Sequence, residues 1–206
     1  MSELFSIQLQ NRQQQGRDGV WLDLPTTTEQ VQAALRQIGI SSDNPQGLFI
    51  SGYFAEEEKR FAIPYNMVLA SNVDELNFLA ARLETLSAGE RAELNAALQA
   101  PQSELFSIGR ITDFPENVDY YVHLPDVRGP AQLGDYYLNR SGMVDMPEEW
   151  KGGIDTAQFG RYVAQQEQGV FTEYGYLVKS GDVWQKVYEG QPVPEEYRVP
   201  VSYTHL

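Results

Sequence analysis

The sequence predicts an α+β protein built from three small domains, and three observations carry that reading. Apolar and polar residues alternate near the start of the chain, paired helix-start signals recur in its middle, and aromatic strand segments return near its end.

In the first domain, residues 1–63, Phe5, Ile7 and Leu9 alternate with Ser6, Gln8 and Gln10, the period of a strand with one buried face. A polar loop through Gln15 and Gly16 leads to a second strand, GVWLDL, which Pro25 stops. Thr26 and Glu29, three residues apart, read as a capping box in which each side chain satisfies a backbone N–H at a helix start. Val31, Ala34, Leu35 and Ile38 fall on one face of that helix, and Gly39 closes it. LFISGYF supplies a third strand. Strand, strand, helix and strand make a small α/β domain. Glu56, Glu57 and Glu58, beside Lys59 and Arg60, read as a solvated hairpin end, because neighbouring side chains there point in different directions and do not converge on a metal.

Pro64 opens a helical domain, residues 64–102. Asn72 with Glu75 and Ser87 with Glu90 are two more capping boxes. Leu76, Leu79, Leu83 and Leu86, with Phe78 beside them, form one apolar stripe; Leu94, Ala97 and Leu98 form the next. The spacing predicts a helical hairpin joined at Ser87 and ended by Pro101.

The third domain, 103–188, starts with strand patterning in LFSIGRI. A helix over 131–141 stops at Gly142, and Asp155 caps another, TAQFGRYVAQQEQ, whose Phe159, Tyr162 and Val163 are expected to face inward. His123, in YYVHLP, reads as a half-buried strand residue. VFTEYGYLVK and DVWQKVY, joined through Ser180, Gly181 and Asp182, read as a β-hairpin. Residues 189–206 carry three prolines and read as an extended tail.

Composition narrows the function. Fifteen Lys and Arg against 29 Asp and Glu give a net charge of −14 in 206 residues, which repels nucleic acid and anionic membranes and favours a basic partner. There is no Cys, no apolar run long enough to span a membrane and no leader pattern, so a cytoplasmic setting is expected. Enzyme readings find little support. His123 and His205 are the only histidines and stand in no metal-ligand spacing, so neither a metal nor another cofactor is expected. No glycine-rich phosphate loop is present. Glu148 and Glu149, neighbours on one turn, do not flank a sugar bond from opposite sides.

The charge gathers toward the C-terminal half. Eight acids, Asp113, Glu116, Asp119, Asp126, Asp135, Asp145, Glu148 and Glu149, face only Arg128 and Arg140 between residues 111 and 149. The stretch LGDYYLNRSGMVDMPEEWKGGIDTAQFGRYVAQQEQGVFTEYGYLV, residues 133–178, adds Asp155, Glu167 and Glu173 to an aromatic base that includes Tyr136, Tyr137 and Phe159. We take these eleven carboxylates as the candidate partner-binding set.

The order of motifs in that stretch, LGDYY, then a glycine before an apolar pair, then MPEEW, FGR and G-x-F-T-x-x-G-Y, resembles the signature region of the ArdA antirestriction proteins, and weaker similarity runs from about Gly19 to about Trp184. The resemblance implies a protein encoded on a mobile genetic element that mimics DNA and occupies the DNA groove of type I restriction-modification enzymes. It implies an elongated molecule of three small domains, paired as a two-fold homodimer. It also implies Asp135, Asp145, Glu148, Asp155 and Glu167 as phosphate mimics, with Tyr136, Tyr137, Phe159 and Gly160 as scaffold or dimer contact. Asn139, Arg140 and Tyr162 stand where that pattern leads one to expect carboxylates. An acidic adaptor for some other basic protein would share the charge without needing an ordered array of it.

Overall fold

The computed structural model describes residues 3–14, 18–41, 46–56, 61–101 and 103–199. In chain order the elements are β1 (Phe5–Asn11), β2 (Val20–Leu24), α1 (Thr28–Gln37), β3 (Leu48–Phe54), α2 (Tyr65–Leu69), α3 (Val73–Glu84), α4 (Ala88–Gln99), α5 (Ile108–Thr112), β4 (Tyr121–Leu124), α6 (Pro130–Asn139), α7 (Glu148–Lys151), α8 (Thr156–Glu167), β5 (Val170–Thr172) and β6 (Gly175–Lys179). Short 3₁₀ turns lie at Phe114–Glu116, Val118–Tyr120 and Glu195–Tyr197. Helices with two small antiparallel sheets make the protein α+β.

Two compact units emerge. The first takes Met1–Leu86, Leu105–Glu116 and Lys186–Leu206; the second takes Ser87–Glu104 and Asn117–Gln185. The grouping cuts through the segment expected as a helical hairpin, since α3 belongs to the first unit and α4 to the second.

In the first unit the strand order is β2-β1-β3. Register pairs Phe5 with Leu24 and Ile7 with Leu22 on one side, and Ile7 with Tyr53 and Leu9 with Ile50 on the other. Phe5, Ile7, Leu9, Leu22 and Leu24 are all buried, as are Val31, Ala34 and Leu35 of α1 and Leu76, Leu79 and Leu83 of α3. Each such leucine or isoleucine contributes about 1.5–3 kcal/mol, more than the ~1 kcal/mol of a helix cap, so the buried stripes decide the fold and the caps fix where helices begin. The boxes at Asn72 and Ser87 form as expected. That of α1 is shifted by one: Thr27 is the N-cap and Gln30, not Glu29, completes it. Gly39 follows α1 at φ +69°, where a residue with Cβ is strained.

LFSIGRI is not a strand; Ser107 caps α5, its hydroxyl accepting from the Arg110 N–H, and Ile108 and Ile111 are buried three residues apart, as on a helix. The tail, expected as an extended segment, is packed up to Val199: Phe78 of α3 packs against the rings of Tyr188 and Tyr197, Asn77 Nδ2 donates to Tyr197 O at 3.0 Å, and Asp74 accepts from Val199 N at 2.9 Å. Asn77 Oδ1 also accepts from Thr26 N at 2.7 Å, so one buried amide ties three segments together.

In the second unit the sheet has the order β4-β6-β5. Its hairpin lies within VFTEYGYLVK, pairing Val170 with Leu177 and Thr172 with Gly175, whereas DVWQKVY forms no strand. Thr172 Oγ1 closes the turn by accepting from Tyr174 N and donating to Gly175 O. His123 lies in β4 opposite Leu177, half-buried, its Nε2 2.9 Å from Tyr174 O. Gln15, Gly16, Glu57, Glu58, Lys59, Arg60 and His205 lie outside the described residues.

Candidate functional site

The signature stretch folds around one helix crossing. α6 starts at Pro130, whose fixed φ suits a first helical turn, and α8 starts at Asp155, whose Oδ1 accepts from Gln158 N at 2.9 Å. They cross at two glycines. A Cβ built at Gly134 would lie 1.9 Å from Thr156 O, and one at Gly160 would lie 1.8 Å from Pro130 O, so only glycine permits this approach. Gly160 is therefore used within the chain, as scaffold. The inward face of α8 is Gly160 and Ala164 with Val163 partly covered; Tyr162, expected inside, is 60% exposed because it stands two residues from both Gly160 and Ala164, on the opposite side of the helix.

Beneath the crossing, Val127, Leu133, Ala164 and Tyr176 form a buried cluster against which Tyr136, Tyr137, Leu124 and Phe171 pack. Phe159 is half-buried. Glu167, at the end of α8, accepts from the Tyr137 hydroxyl through Oε1 and from the Tyr176 hydroxyl through Oε2, the latter at 2.9 Å. Both phenols ionise well above the ordinary tyrosine range, first because burial penalises the phenolate, then because each donates to this carboxylate. Both oxygens of Glu167 are thus engaged inside the unit.

The other acids of the stretch point outward. Asp135 accepts from Asn139 Nδ2 at 2.8 Å and from Arg140 Nη2 at 2.7 Å, one helical turn on. Those two hydrogen bonds, Asn139 first, hold its carboxyl below the usual range. Glu148 pairs with Lys151 at 2.9 Å while remaining highly exposed. Asp126, Asp145 and Glu149 are exposed and form no ion pair among the described residues. Glu173 sits on the hairpin turn and accepts from Gln99 Nε2. Asp119 is exposed as well.

Asp113 and Glu116 belong to the first unit. Asp113 is corrected outright as a surface group: it is 0% exposed, and its oxygens accept from the backbone N–H groups of Val187, Tyr188 and Glu189 at 3.3, 2.6 and 3.3 Å. A carboxylate there completes orphan donors of the C-terminal segment and is not offered to a partner. Glu116 is bound to Arg82, which also lies over the Tyr188 ring, so its charge is neutralised locally.

One acid of the helical segment stands apart from the candidate set. Glu93 of α4 is half-buried beside Leu94, and its Oε1 has no hydrogen-bond partner among the described residues. Burial, then the like charges of Glu90 and Asp119, push its carboxyl up to about 8. Its place beside Leu94, at the margin of the apolar stripe, was the available signal.

The arrangement offers acceptors and little else. Among the described residues no group of three or more His, Cys, Asp or Glu is placed to hold a metal, and no helix is long and apolar enough to cross a membrane. Comparison with curated proteins finds no match. A family model described as Antirestriction protein (ArdA) matches residues 15–178.

Proposed function

The chain belongs to the ArdA antirestriction family, inhibitors of restriction rather than enzymes, and from that premise we propose that it blocks type I restriction-modification enzymes by presenting ordered carboxylates in place of DNA phosphates. The observation that supports this best is the fixing of the outward acids. Asp135 is held by Asn139 and Arg140 and Asp155 by the Gln158 N–H, on a helix pair locked by its own glycines, and Glu173 on the hairpin turn is held by Gln99. A carboxylate set in place by folding loses less ordering entropy on binding than one on a flexible tail. The Lys and Arg of the enzyme's DNA channel then meet charges already positioned.

Asp119, Asp126, Asp135, Asp145, Glu148, Glu149, Asp155 and Glu173 form the proposed binding set. Glu167 is assigned to the scaffold with Tyr136, Tyr137, Phe159 and Gly160. Scale favours two copies: duplex DNA carries one charge per about 1.7 Å, so a charge of −14 matches about 24 Å of helix and a homodimer about 48 Å, roughly 14 base pairs. The enzyme it meets is cytoplasmic, and so is this protein.

The test is a titration of the purified protein against a type I enzyme and its DNA. The expected result is displacement of DNA that weakens steeply as salt rises. The triple variant Asp145→Asn, Glu148→Gln, Glu149→Gln is expected to weaken it while melting as the parent does. Inhibition that leaves DNA bound, or that ignores salt, overturns the proposal.

A further inference from the structure

The inward face of the first sheet is filled, but its outward face is not. Register places Asp23, Ser6 and Phe54 in one row across the three strands, and Trp21, Gln8 and Gly52 in the next. Trp21 is 49% exposed and Phe54 56%, yet their rings meet edge to face with centroids 6.5 Å apart. Gly52 leaves space for this: the tip of the Trp21 ring lies 3.0 Å from where a Cβ at Gly52 would sit, so the indole lies down across the sheet. At the edge of the same face, Ser6 Oγ reaches two carboxylates, Asp23 at 2.9 Å and Glu3 at 3.3 Å. Neither acid forms an ion pair among the described residues.

We propose that this face docks an arginine-bearing segment of a cationic protein, the guanidinium stacking on Trp21 while its N–H groups meet Asp23. The chemistry selects the occupant. Trp21 and Asp23 are two apart on one strand and so share a face, offering an aromatic plane beside a carboxylate. A planar guanidinium stacks and donates in one pose, which a lysine ammonium does not. An uncharged apolar segment would strip water from two carboxylates without replacing it, and a polyanion is repelled. The inference rests on the reading that the target is a cationic protein surface, and adds a second contact to it, in the other unit.

The experiment uses the full chain, isotope-labelled, titrated with an arginine-rich peptide and with a lysine-rich peptide of equal length and charge. The Trp21 indole N–H and the Phe54 ring report binding by NMR. The arginine peptide is expected to shift both saturably and to bind about two- to fivefold tighter than the lysine peptide, the size of one exposed cation–π contact. Trp21→Leu and Asp23→Asn are each expected to lose that difference, and Trp21→Phe to keep most of it. Thermal melts of the variants separate lost contact from lost fold, and Phe54→Ser is a second probe if Trp21→Leu does not fold. The proposal is overturned if the Trp21 signal stays still while acids of the second unit respond, or if Trp21→Leu binds as the parent does. DNA displacement from a type I enzyme, run in parallel, isolates the two ideas: displacement by the parent chain with a silent Trp21 removes only the sheet contact, and a responsive Trp21 without displacement removes only the phosphate mimicry.

Discussion

Gly134 and Gly160 meet where α6 crosses α8, and the Cβ that Gly160 lacks would stand 2.8 Å from the Gly134 nitrogen as well as against Pro130 O. The obstacle is backbone on both sides, so a neighbouring side chain cannot simply turn away. Gly160→Ala is expected to cost about 1–3 kcal/mol or more, as overpacking of a tight interior does. Calorimetry should show the second unit melting several degrees lower, with inhibition falling as temperature rises.

Glu167 distinguishes scaffold from mimic. Glu167→Leu leaves the hydroxyls of Tyr137 and Tyr176 without their acceptor, a loss of about 1–3 kcal/mol for each buried group left unpaired. Glu167→Gln keeps one acceptor oxygen and should fall between Leu and the parent in urea unfolding. At temperatures where all three are folded, DNA displacement is expected to be equal, since this charge faces inward.

The same pair of phenols sets an alkaline limit. Their folded-state ionisation is raised above the unfolded value of about 10, so the stability they contribute is complete below that pH and is lost above it. An ultraviolet absorbance titration of Tyr137→Phe and Tyr176→Phe against the parent should remove two late-ionising tyrosines.

Glu93 acts in the acid direction. Its folded value near 8 exceeds the reference value of 4.5, so between those limits the folded state binds the extra proton. Stability from this group is therefore full below about 4.5 and declines as pH rises to 8. Glu93→Gln should melt higher than the parent at pH 8, and the difference should shrink toward pH 5. Equal melting of the two across that range would refute the assignment.

Asp113 should behave as a structural clasp. Asp113→Ala leaves three part-buried N–H groups without their acceptor and is expected to cost about 3 kcal/mol. Removing residues 186–206 should expose Phe78 and lower the melting of the first unit, seen as faster amide exchange in α3.

Local signals in the chain were readable to the degree that their causes were local. The boxes at Asn72 and Ser87 need only two side chains three apart, and both form. At α1 two threonines compete, and Gln30 serves as well as Glu29, which moved the cap by one. LFSIGRI misleads because Leu105, Ile108 and Ile111 are also spaced three apart, and the cap at Ser107 resolves the ambiguity only once the chain folds. The outward acids of the signature stretch were legible from composition. Asp113 was not, because what buries it lies 74 to 76 residues further along the chain.

That separation has a consequence for synthesis. Residues 186–199, which cover Phe78 and take up Asp113, leave the ribosome after the whole of the second unit. During translation the first unit waits with an aromatic flank bare and a carboxylate unanswered, so the nascent chain reaches its finished state from the tail backward rather than one piece at a time.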